Sequence, residues 1–300
     1  MSLLVVGSLA FDDIETPAGA RLDVLGGSAT YFSLAASVFS PVRMVGPVGE
    51  DFPMNVAGGW CERGIDPAGI EVVKGGKTFR WSGRYQGEMN SAETLRVELN
   101  VLSTFQPKVP AAFRDSEFLF LANTHPATQR SVLAQVERPR FVLADTMNLW
   151  IETERPALLA LLREVDGLLV NDEEARMLSG TRNLIAAGKR ILELGPRIVI
   201  VKKGEHGSFL FSAERLFALP AYPTDRVVDP TGAGDTFAGG LMGSLARSGD
   251  PTVANIRQGM VHGTVTASFT VESFGTEAIA AMDAAAEEAR YREFLEFVTV

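Results

Sequence analysis

The stretch from Val227 to Leu241 reads VVDPTGAGDTFAGGL, and it decides the fold. Val227 and Val228 end a β-branched, strand-like run, and the residues from Pro230 to Gly234 are small and turn-forming. From Asp235 onward, apolar residues recur at helical spacing. The sequence therefore predicts a strand, a Gly-rich turn and a helix in succession, which is typical of an α/β protein.

The turn carries the features of an anion-binding site. At a helix N-terminus the backbone N–H groups of Gly232, Ala233 and Gly234 would lack helical partners, and the helix dipole favours negative charge there. Asp235 lies in the first turn, where a carboxylate would repel a bound anion. A packing role does not explain that placement. A general base does, because Asp235 could take the proton of a hydroxyl that attacks a phosphoryl group held by the turn.

The seven residues Asp229 to Asp235, DPTGAGD, resemble the C-terminal signature of the ribokinase-like (PfkB) family of carbohydrate kinases. An ordinary Gly-rich turn is the alternative, but an aspartate at each end makes the match more specific. The spacing fits neither a dinucleotide-binding loop nor a Walker P-loop. The resemblance implies a doubly wound, mainly parallel α/β sheet flanked by helices, a small β-sheet lid, and ATP and Mg²⁺ as cofactors.

Composition limits the classes of function. The chain has 300 residues, of which 46% are hydrophobic and 22% charged, as expected for a globular protein with a large core. A formal net charge of −9 argues against a nucleic-acid partner. The single cysteine, Cys61, allows no intrachain disulfide, which is compatible with a reducing cytosol, and we expect a cytoplasmic location.

The N-terminal segment predicts a buried strand. Met1 to Ala10 is apolar, but no basic region precedes it and Asp12, Asp13 and Glu15 follow, so it does not resemble a signal peptide. No apolar run approaches the length of a membrane span, so no membrane partner is expected.

The order of predicted strands and helices indicates one domain over residues 1–300. From Glu117 onward, short apolar strands alternate with helices, which favours a parallel sheet. Lys77 to Leu102 alternates with period two on either side of a turn and predicts a hairpin. With the extended segment from 14 to 25, the segment from 77 to 102 would form the lid; two edge strands of the main sheet are the alternative.

Candidate acceptor-binding residues follow the first strand. Asp12 or Asp13 could accept hydrogen bonds from substrate hydroxyls at the strand's C-terminal end, although a solvated loop or a helix cap explains them equally well. Gly26 and Gly27 precede a helix and would let a ligand approach the backbone, or form a tight turn. They resemble the family's N-terminal signature, which implies that Asp12 contacts the sugar.

Tyr31 departs from the family pattern. Many sugar kinases of the family carry asparagine four residues after the second glycine, where its amide contacts a sugar hydroxyl. Here that position is Tyr31, which lacks the amide's paired donor and acceptor. The difference argues against ribose or fructose as the substrate.

Asn171 and Glu174 form a second candidate site, which directly follows a predicted strand. Helix capping by Asn171, with acidic residues near the helix dipole, explains them without a ligand. The Asn-x-x-Glu spacing also resembles the family motif that organises phosphate and Mg²⁺, which implies that Asn171 belongs to the nucleotide-binding residues and that Glu174 holds the metal through water.

Two further segments resemble the family's nucleotide site. Gly204 and Gly207 match its nucleotide-contacting turn, and Lys202 replaces a threonine that is often found there, so a direct phosphate contact is open. A solvated turn is the alternative for the lysine. Gly275 ends the region that lines the adenine pocket in the family.

Asp229 and Thr231, together with carbonyls near Ser273, resemble a monovalent-cation site of some members, so K⁺ is a candidate cofactor. A turn-forming carboxylate is the alternative for Asp229.

The sequence thus favours an ATP-dependent kinase that phosphorylates a hydroxyl of a sugar or sugar-like molecule, with Asp235 as base. A nucleoside kinase for adenosine or cytidine, or an inositol kinase, of the same fold is the first alternative, because Phe79, Trp81 and Tyr85 would suit a base or cyclitol. A non-catalytic metabolite-binding regulator is the second, which the intact Asp235 argues against. An uncovered lid edge could pair two copies into a homodimer.

Overall fold

The computed structural model describes residues 1–299. A nine-stranded sheet forms its centre, with the spatial order β13-β12-β11-β10-β9-β8-β1-β4-β5. The strands are β1 (Leu3–Val6), β4 (Val42–Gly49), β5 (Ile65–Val73), β8 (Phe118–Leu121), β9 (Phe141–Asp145), β10 (Gly167–Asn171), β11 (Ile198–Lys202), β12 (Ser208–Ser212) and β13 (Leu216–Leu219). The pairs from β11 to β5 are parallel, and β12 and β13 are antiparallel additions.

Helices cover both faces of this sheet, so the sheet separates two layers of hydrophobic core. They are α1 (Ser28–Ala36), α2 (Val56–Glu62), α3 (Pro126–Leu133), α4 (Asn148–Thr153), α5 (Arg155–Leu162), α6 (Asp172–Ser179), α7 (Leu184–Leu192), α8 (Ala233–Ser248), α9 (Val253–Thr270), α10 (Glu277–Ala281) and α11 (Ala284–Val298). One layer packs α1, α8 and α9 against the sheet, and the other packs α5, α6 and α7. The predicted fold class, a mainly parallel doubly wound sheet flanked by helices, is confirmed.

A second sheet of four strands stands apart from the main one. It has the order β3-β2-β6-β7 and consists of β2 (Ala10–Thr16), β3 (Gly19–Gly26), β6 (Phe79–Tyr85) and β7 (Ala92–Glu98). Its outer strand β7 is largely exposed. We refer to it as the lid sheet, and its function as a lid stays a prediction.

The strand predicted before the Gly-rich turn is absent. Residues 221–230 form no strand, and Val227 is exposed. The N–H groups of Val228 and Asp229 donate instead to the carbonyl of Val271, at 2.7 and 3.2 Å. Pro220, Pro223 and Pro230 lie in or beside this segment, and proline removes the donor that a sheet ladder needs. The turn is therefore anchored to the end of α9 and not to a sheet.

Close packing between α1 and α8 positions this turn. A methyl group on Gly243 would lie 2.8 Å from the carbonyl oxygen of Ala36, so only a residue without a side chain lets the helices approach this closely. The residue that caps the N-terminus of α8 also lies against α1, because a side chain on Gly232 would collide with the ring of Tyr31. Within residues 1–299, no helix is both long and apolar enough to cross a bilayer.

Candidate active site

The Gly-rich turn leaves backbone donors free at the N-terminus of α8. Gly232 caps the helix with a φ of 74°, a conformation that suits glycine, and no side chain caps it. The N–H of Ala233 donates to the carbonyl of Pro230 at 3.1 Å, so it is already engaged. The N–H groups of Gly232 and Gly234 donate to no acceptor within residues 1–299. These two, and not the Ala233 group, are the free donors of the predicted anion hole.

Asp235 is directed into a buried cluster of charges. Burial, and next the charge of Asp145, raise the pKa of Asp235 to about 7, while the ammonium group of Lys202 opposes the shift. A carboxyl group with a pKa near neutrality can both accept and release a proton at physiological pH, as a general base requires.

Asp145, Glu174 and Lys202 complete this cluster. They lie at or just after the C-terminal ends of the adjacent strands β9, β10 and β11, where parallel sheets collect ligands. Lys202 Nζ lies 3.9 Å from Asp145 Oδ2. Burial alone would lower the pKa of Lys202, but the charges of Asp145, Glu174 and Asp235 raise it. The lysine therefore stays protonated.

Lys202 also lies beside the predicted anion hole. A methyl group on Gly234 would lie 2.8 Å from Lys202 Nζ, so the ammonium group is close to the free N–H of Gly234. A cation and a helix N-terminus thus converge on one point, beside the carboxyl group of Asp235. That arrangement suits the transfer of a phosphoryl group, because developing negative charge would meet fixed positive charge.

Asn171 and Glu174 form a complete capping box at the start of α6. Asn171 Oδ1 accepts from the Glu174 N–H at 2.8 Å, and Glu174 Oε2 accepts from the Asn171 N–H at 2.7 Å. Helix capping, the alternative to a ligand-binding role, is therefore present. It leaves Glu174 Oε1 without a partner in the described chain. Burial, and next the charge of Asp145, raise the pKa of Glu174 to about 8. A cation would relieve that cost.

The carboxylates fit a magnesium ion that is held chiefly by phosphates and water. Within residues 1–299, no three histidine, cysteine or acidic side chains stand close enough to hold a metal by themselves. Glu174 and Asp145 offer hard oxygen ligands beside the predicted phosphate position, and Mg²⁺ usually takes few protein ligands and several waters.

Asp12 is a buried acid beside the predicted acceptor site. It is 4% exposed, and a methyl group on Gly26 would collide with its carboxyl group. Burial, and next the charges of Asp229 and Asp235, raise the pKa of Asp12 to about 8. The solvated-loop alternative for Asp12 is therefore wrong, because Asp12 lies within β2 and is buried.

Gly27 caps α1 with a φ of 93°, and a methyl group on it would lie 2.5 Å from the Ser8 carbonyl oxygen. The fold itself therefore requires glycine at this position, whether or not a ligand binds there.

Tyr31 packs its ring against Gly232, where any side chain would collide with it. The Tyr31 hydroxyl is buried and has no partner within the described residues.

The lid sheet contacts both halves of the site. The Thr231 hydroxyl donates to the hydroxyl oxygen of Tyr85, at the end of β6, at 3.3 Å. The Asn90 amide, in the turn between β6 and β7, donates to Glu205 at 3.1 Å. Asn90 also covers Gly204, where a side chain would collide with it. One hairpin therefore touches the anion-hole turn and the predicted nucleotide turn.

Asp229 joins two loops. Its carboxylate oxygens accept from the N–H groups of Thr231 and Gly275, each at 2.9 Å, and the residue is fully buried. This explains Asp229 as a structural link between the anion-hole turn and the segment after α9. A monovalent cation at Asp229 and Thr231 stays a prediction.

From the sequence alone, Asp145 after its strand could help shape the phosphate or substrate cleft, whereas Asn90 is given no role. Asp145 carried a usable signal, because it ends a short apolar strand in a parallel sheet. Asn90 lies in an exposed turn without such a signal.

Comparison with known proteins agrees with this geometry. Residues 6–282 match the model of the pfkB family carbohydrate kinases. A cytidine kinase of Thermococcus kodakarensis is 27% identical over 270 residues, which span 87% of this chain and 94% of that protein.

Solved structures share the fold. A nucleoside kinase of Burkholderia thailandensis in complex with inosine has a TM-score of 0.77 at 18% identity, over 98% of this chain and 99% of that one. A putative ribokinase II of E. coli in complex with ATP and Mg²⁺ has a TM-score of 0.78 at 18% identity, over 97% and 99%.

Proposed function

Because this chain belongs to the pfkB family of carbohydrate kinases, which transfer phosphoryl groups to alcohols, we propose that it moves the γ-phosphoryl group of ATP to a primary hydroxyl of a sugar-like acceptor. We place nucleosides ahead of free sugars. A relative that matches nearly end to end is a cytidine kinase, and Tyr31 stands where an amide would contact a free sugar. Free sugars and inositol are the second candidates.

One observation carries the proposal: Asp235, Lys202 and the free N–H groups of Gly232 and Gly234 converge at the start of α8. The acceptor binds against Asp12 and Gly27 beneath the lid sheet. Asp235 takes the proton of the acceptor hydroxyl as its oxygen attacks the γ-phosphorus, and the bond to the β–γ bridging oxygen breaks. The anion-hole donors and Lys202 then balance the negative charge of the transferring group.

On the nucleotide side, we propose that Lys202, Gly204 and Gly207 contact the phosphates and Gly275 borders the adenine. Glu174 would hold Mg²⁺ through water, helped by Asp145. The metal, when bound, neutralises phosphate charge and orients the phosphate oxygens. Asn171 acts by orienting Glu174 through the capping box.

A coupled ADP-release assay with ATP and Mg²⁺ tests the proposal. The acceptors are cytidine, adenosine, ribose, fructose and inositol, each with and without K⁺, and the Asp235→Asn protein serves as a blank for contaminating kinases. We expect turnover with at least one nucleoside. Turnover only with a free sugar would contradict the ranking of acceptors. ATP binding without turnover on any acceptor would contradict the proposed function.

We also propose that the lid sheet joins two copies of this chain. Its outer strand β7 is exposed, and it carries Leu95 and Val97 at 45% and 49% exposure. An uncovered strand edge with apolar side chains is prone to pair with another. We expect a dimer by light scattering, and a monomer for Val97→Lys, because a charge on an edge strand disfavours pairing. A monomeric wild-type protein would contradict this proposal.

A further inference from the structure

The C-terminal helix α11 lies outside the family match. It begins at Ala284, whereas the family model covers residues 6–282, so membership of the family assigns this helix no role. The helix nevertheless contacts the loop at 221–229, which leads into the Gly-rich turn at the start of α8. The position of that loop bears directly on where the free donors of the turn lie.

The loop at 221–229 has little backbone support. Within residues 1–299, the backbone of 221–227 makes no hydrogen bond to another backbone group, while the N–H groups of Val228 and Asp229 both donate to the carbonyl of Val271. Val271 is the C-cap of α9. The loop therefore depends on the end of α9 and on side chains for its position.

Arg290 of α11 binds the end of α9. Its Nη1 and Nη2 donate to the two carboxylate oxygens of Glu272 at 3.2 and 3.0 Å, and Nη1 also donates to the Ser268 hydroxyl at 3.0 Å. The guanidinium carbon lies 3.7 Å from the centre of the Phe269 ring. The side chains of Arg290 and Glu272 are each only 19% exposed. A bidentate, stacked and mostly enclosed pair fixes its partners more firmly than a surface ion pair does.

The same side chains also hold the loop. Glu272 Oε1, which accepts from Arg290, accepts from the Thr224 hydroxyl at 3.3 Å. The Tyr222 hydroxyl donates to Glu293 of α11 at 2.7 Å, and the guanidinium carbon of Arg290 lies 5.1 Å from the centre of the Tyr222 ring. The loop is thus anchored to α11 directly at Tyr222 and through Glu272 at Thr224.

From the end of α9, the bonds continue to the anion hole. The carbonyl of Val271, the residue before Glu272, accepts from the Asp229 N–H, and Asp229 accepts from the Thr231 N–H at 2.9 Å. Thr231 directly precedes Gly232, whose N–H is one of the free donors. A displacement at the end of α9 would therefore reach these donors, where a shift of about 1 Å can cost about 100-fold in rate.

We propose that α11 sets the position of the anion hole and that Arg290 is a positioning residue for phosphoryl transfer. The proposal rests on the proposed function and adds to it a helix that the family match does not include. Arg290 acts through Glu272 and Val271 and touches neither substrate. Asp12, on the acceptor side, lies in β2, which pairs with β3 and β6 and not with this loop. The loss of Arg290 should therefore affect kcat and leave acceptor binding in place.

Arg290→Met keeps a long side chain and removes the guanidinium group. We expect kcat to fall about tenfold while the KM for the acceptor stays within about twofold of the wild-type value. We also expect amide hydrogen exchange in the segment 228–231 to become about tenfold faster, because its bonds to Val271 and Asp229 open more often. Arg290→Lys keeps the charge but not the bidentate geometry, so it should recover part of kcat. Steady-state kinetics with the most active acceptor and exchange followed by mass spectrometry measure these effects.

Arg292→Met is the matched control on the same helix. The Arg292 side chain is 74% exposed and pairs with Glu288 of α11 itself, so its loss should change neither kcat nor exchange at 228–231. A merely structural Arg290 would lower the melting temperature and leave both quantities at their wild-type values in the folded protein. That result would overturn the inference, and so would a rise in acceptor KM with unchanged kcat.

Two further measurements keep the inference testable when turnover or folding is lost. Hydrogen exchange needs no turnover, so unchanged exchange at 228–231 overturns the inference even without an active acceptor, whereas silence of the wild-type protein with every acceptor overturns the proposed function. If Arg290→Met does not fold, Tyr222→Phe replaces it, because it removes only the hydroxyl bonded to Glu293. We expect exchange at 228–231 to be about fivefold faster in that variant, and wild-type exchange there would contradict the role of α11.

Discussion

The Asp235→Asn variant is expected to fold normally and to lose between about 10²- and 10⁴-fold in kcat, because asparagine cannot accept the proton of the acceptor hydroxyl. The substitution keeps the size of the side chain, and it removes a carboxyl group whose raised pKa shows that its buried charge is costly. Thermal stability should therefore be unchanged or higher. Steady-state kinetics and a melting curve measure both effects.

Asp225→Asn is the matched control for this variant. Asp225 lies ten residues earlier, in an exposed loop, and the same substitution there should leave kcat unchanged. If Asp235→Asn retains nearly wild-type turnover, Asp235 is not the base. A loss of folding would show in the melting curve and would be distinguished from a loss of chemistry.

The carboxyl group of Asp235 is also expected to set the acidic limb of the pH profile. Burial, and next the charge of Asp145, raise the pKa of Asp235 to about 7, so the protonated form dominates below that pH. A protonated base cannot accept the hydroxyl proton, so kcat/KM should fall by about tenfold for each pH unit below 7 and level off above it. A profile that stays flat down to pH 5 would contradict this assignment.

Lys202→Met is expected to lower kcat by about 10²-fold, because it removes a cation that lies beside the proposed anion hole and Asp235. It should also change the pH profile. Lys202 opposes the upward pKa shift of Asp235, so without it that pKa rises further and the acidic limb moves to higher pH. A merely structural role for the lysine would not move this limb in that direction.

Lys203→Met provides the control at the adjacent position. The Lys203 ammonium group lies 3.8 Å from the centre of the Phe209 ring, away from the acidic cluster, so its loss should leave kcat and the pH profile unchanged. Lys202→Arg keeps the charge and should recover part of the activity if the methionine variant is unstable. Wild-type kcat in Lys202→Met would exclude the lysine from the chemistry.

Local patterns in the sequence predicted most elements of the fold. The helix after the Gly-rich turn, the capping box at Asn171 and the separate hairpin all leave short-range signals in residue type and spacing. The strand before the turn was predicted wrongly. The β-branched pair Val227 and Val228 has strand propensity, but the prolines around it and the bonds to Val271 prevail.

Other elements lack such a signal. The edge strand β5 contains Asp66, Pro67 and Gly69, which disfavour a strand in isolation; its pairing with β4 and the packing of its isoleucines on the core stabilise it. The convergence of Lys202 with Asp145 depends on the order of β9, β10 and β11, which the spacing of residues in the chain does not give.

The contact between Tyr31 and Gly232 couples the expected acceptor specificity of the site to the geometry of the proposed anion hole. Tyr31 stands where acceptor specificity is expected to be set, while Gly232 supplies a free backbone donor of the proposed anion hole, and the ring of one lies against the backbone of the other. A substitution at position 31 that admits a new acceptor would also shift the support of that donor. We therefore expect a change of acceptor at position 31 to need a compensating change in the turn before α8, and laboratory libraries should vary the two segments together.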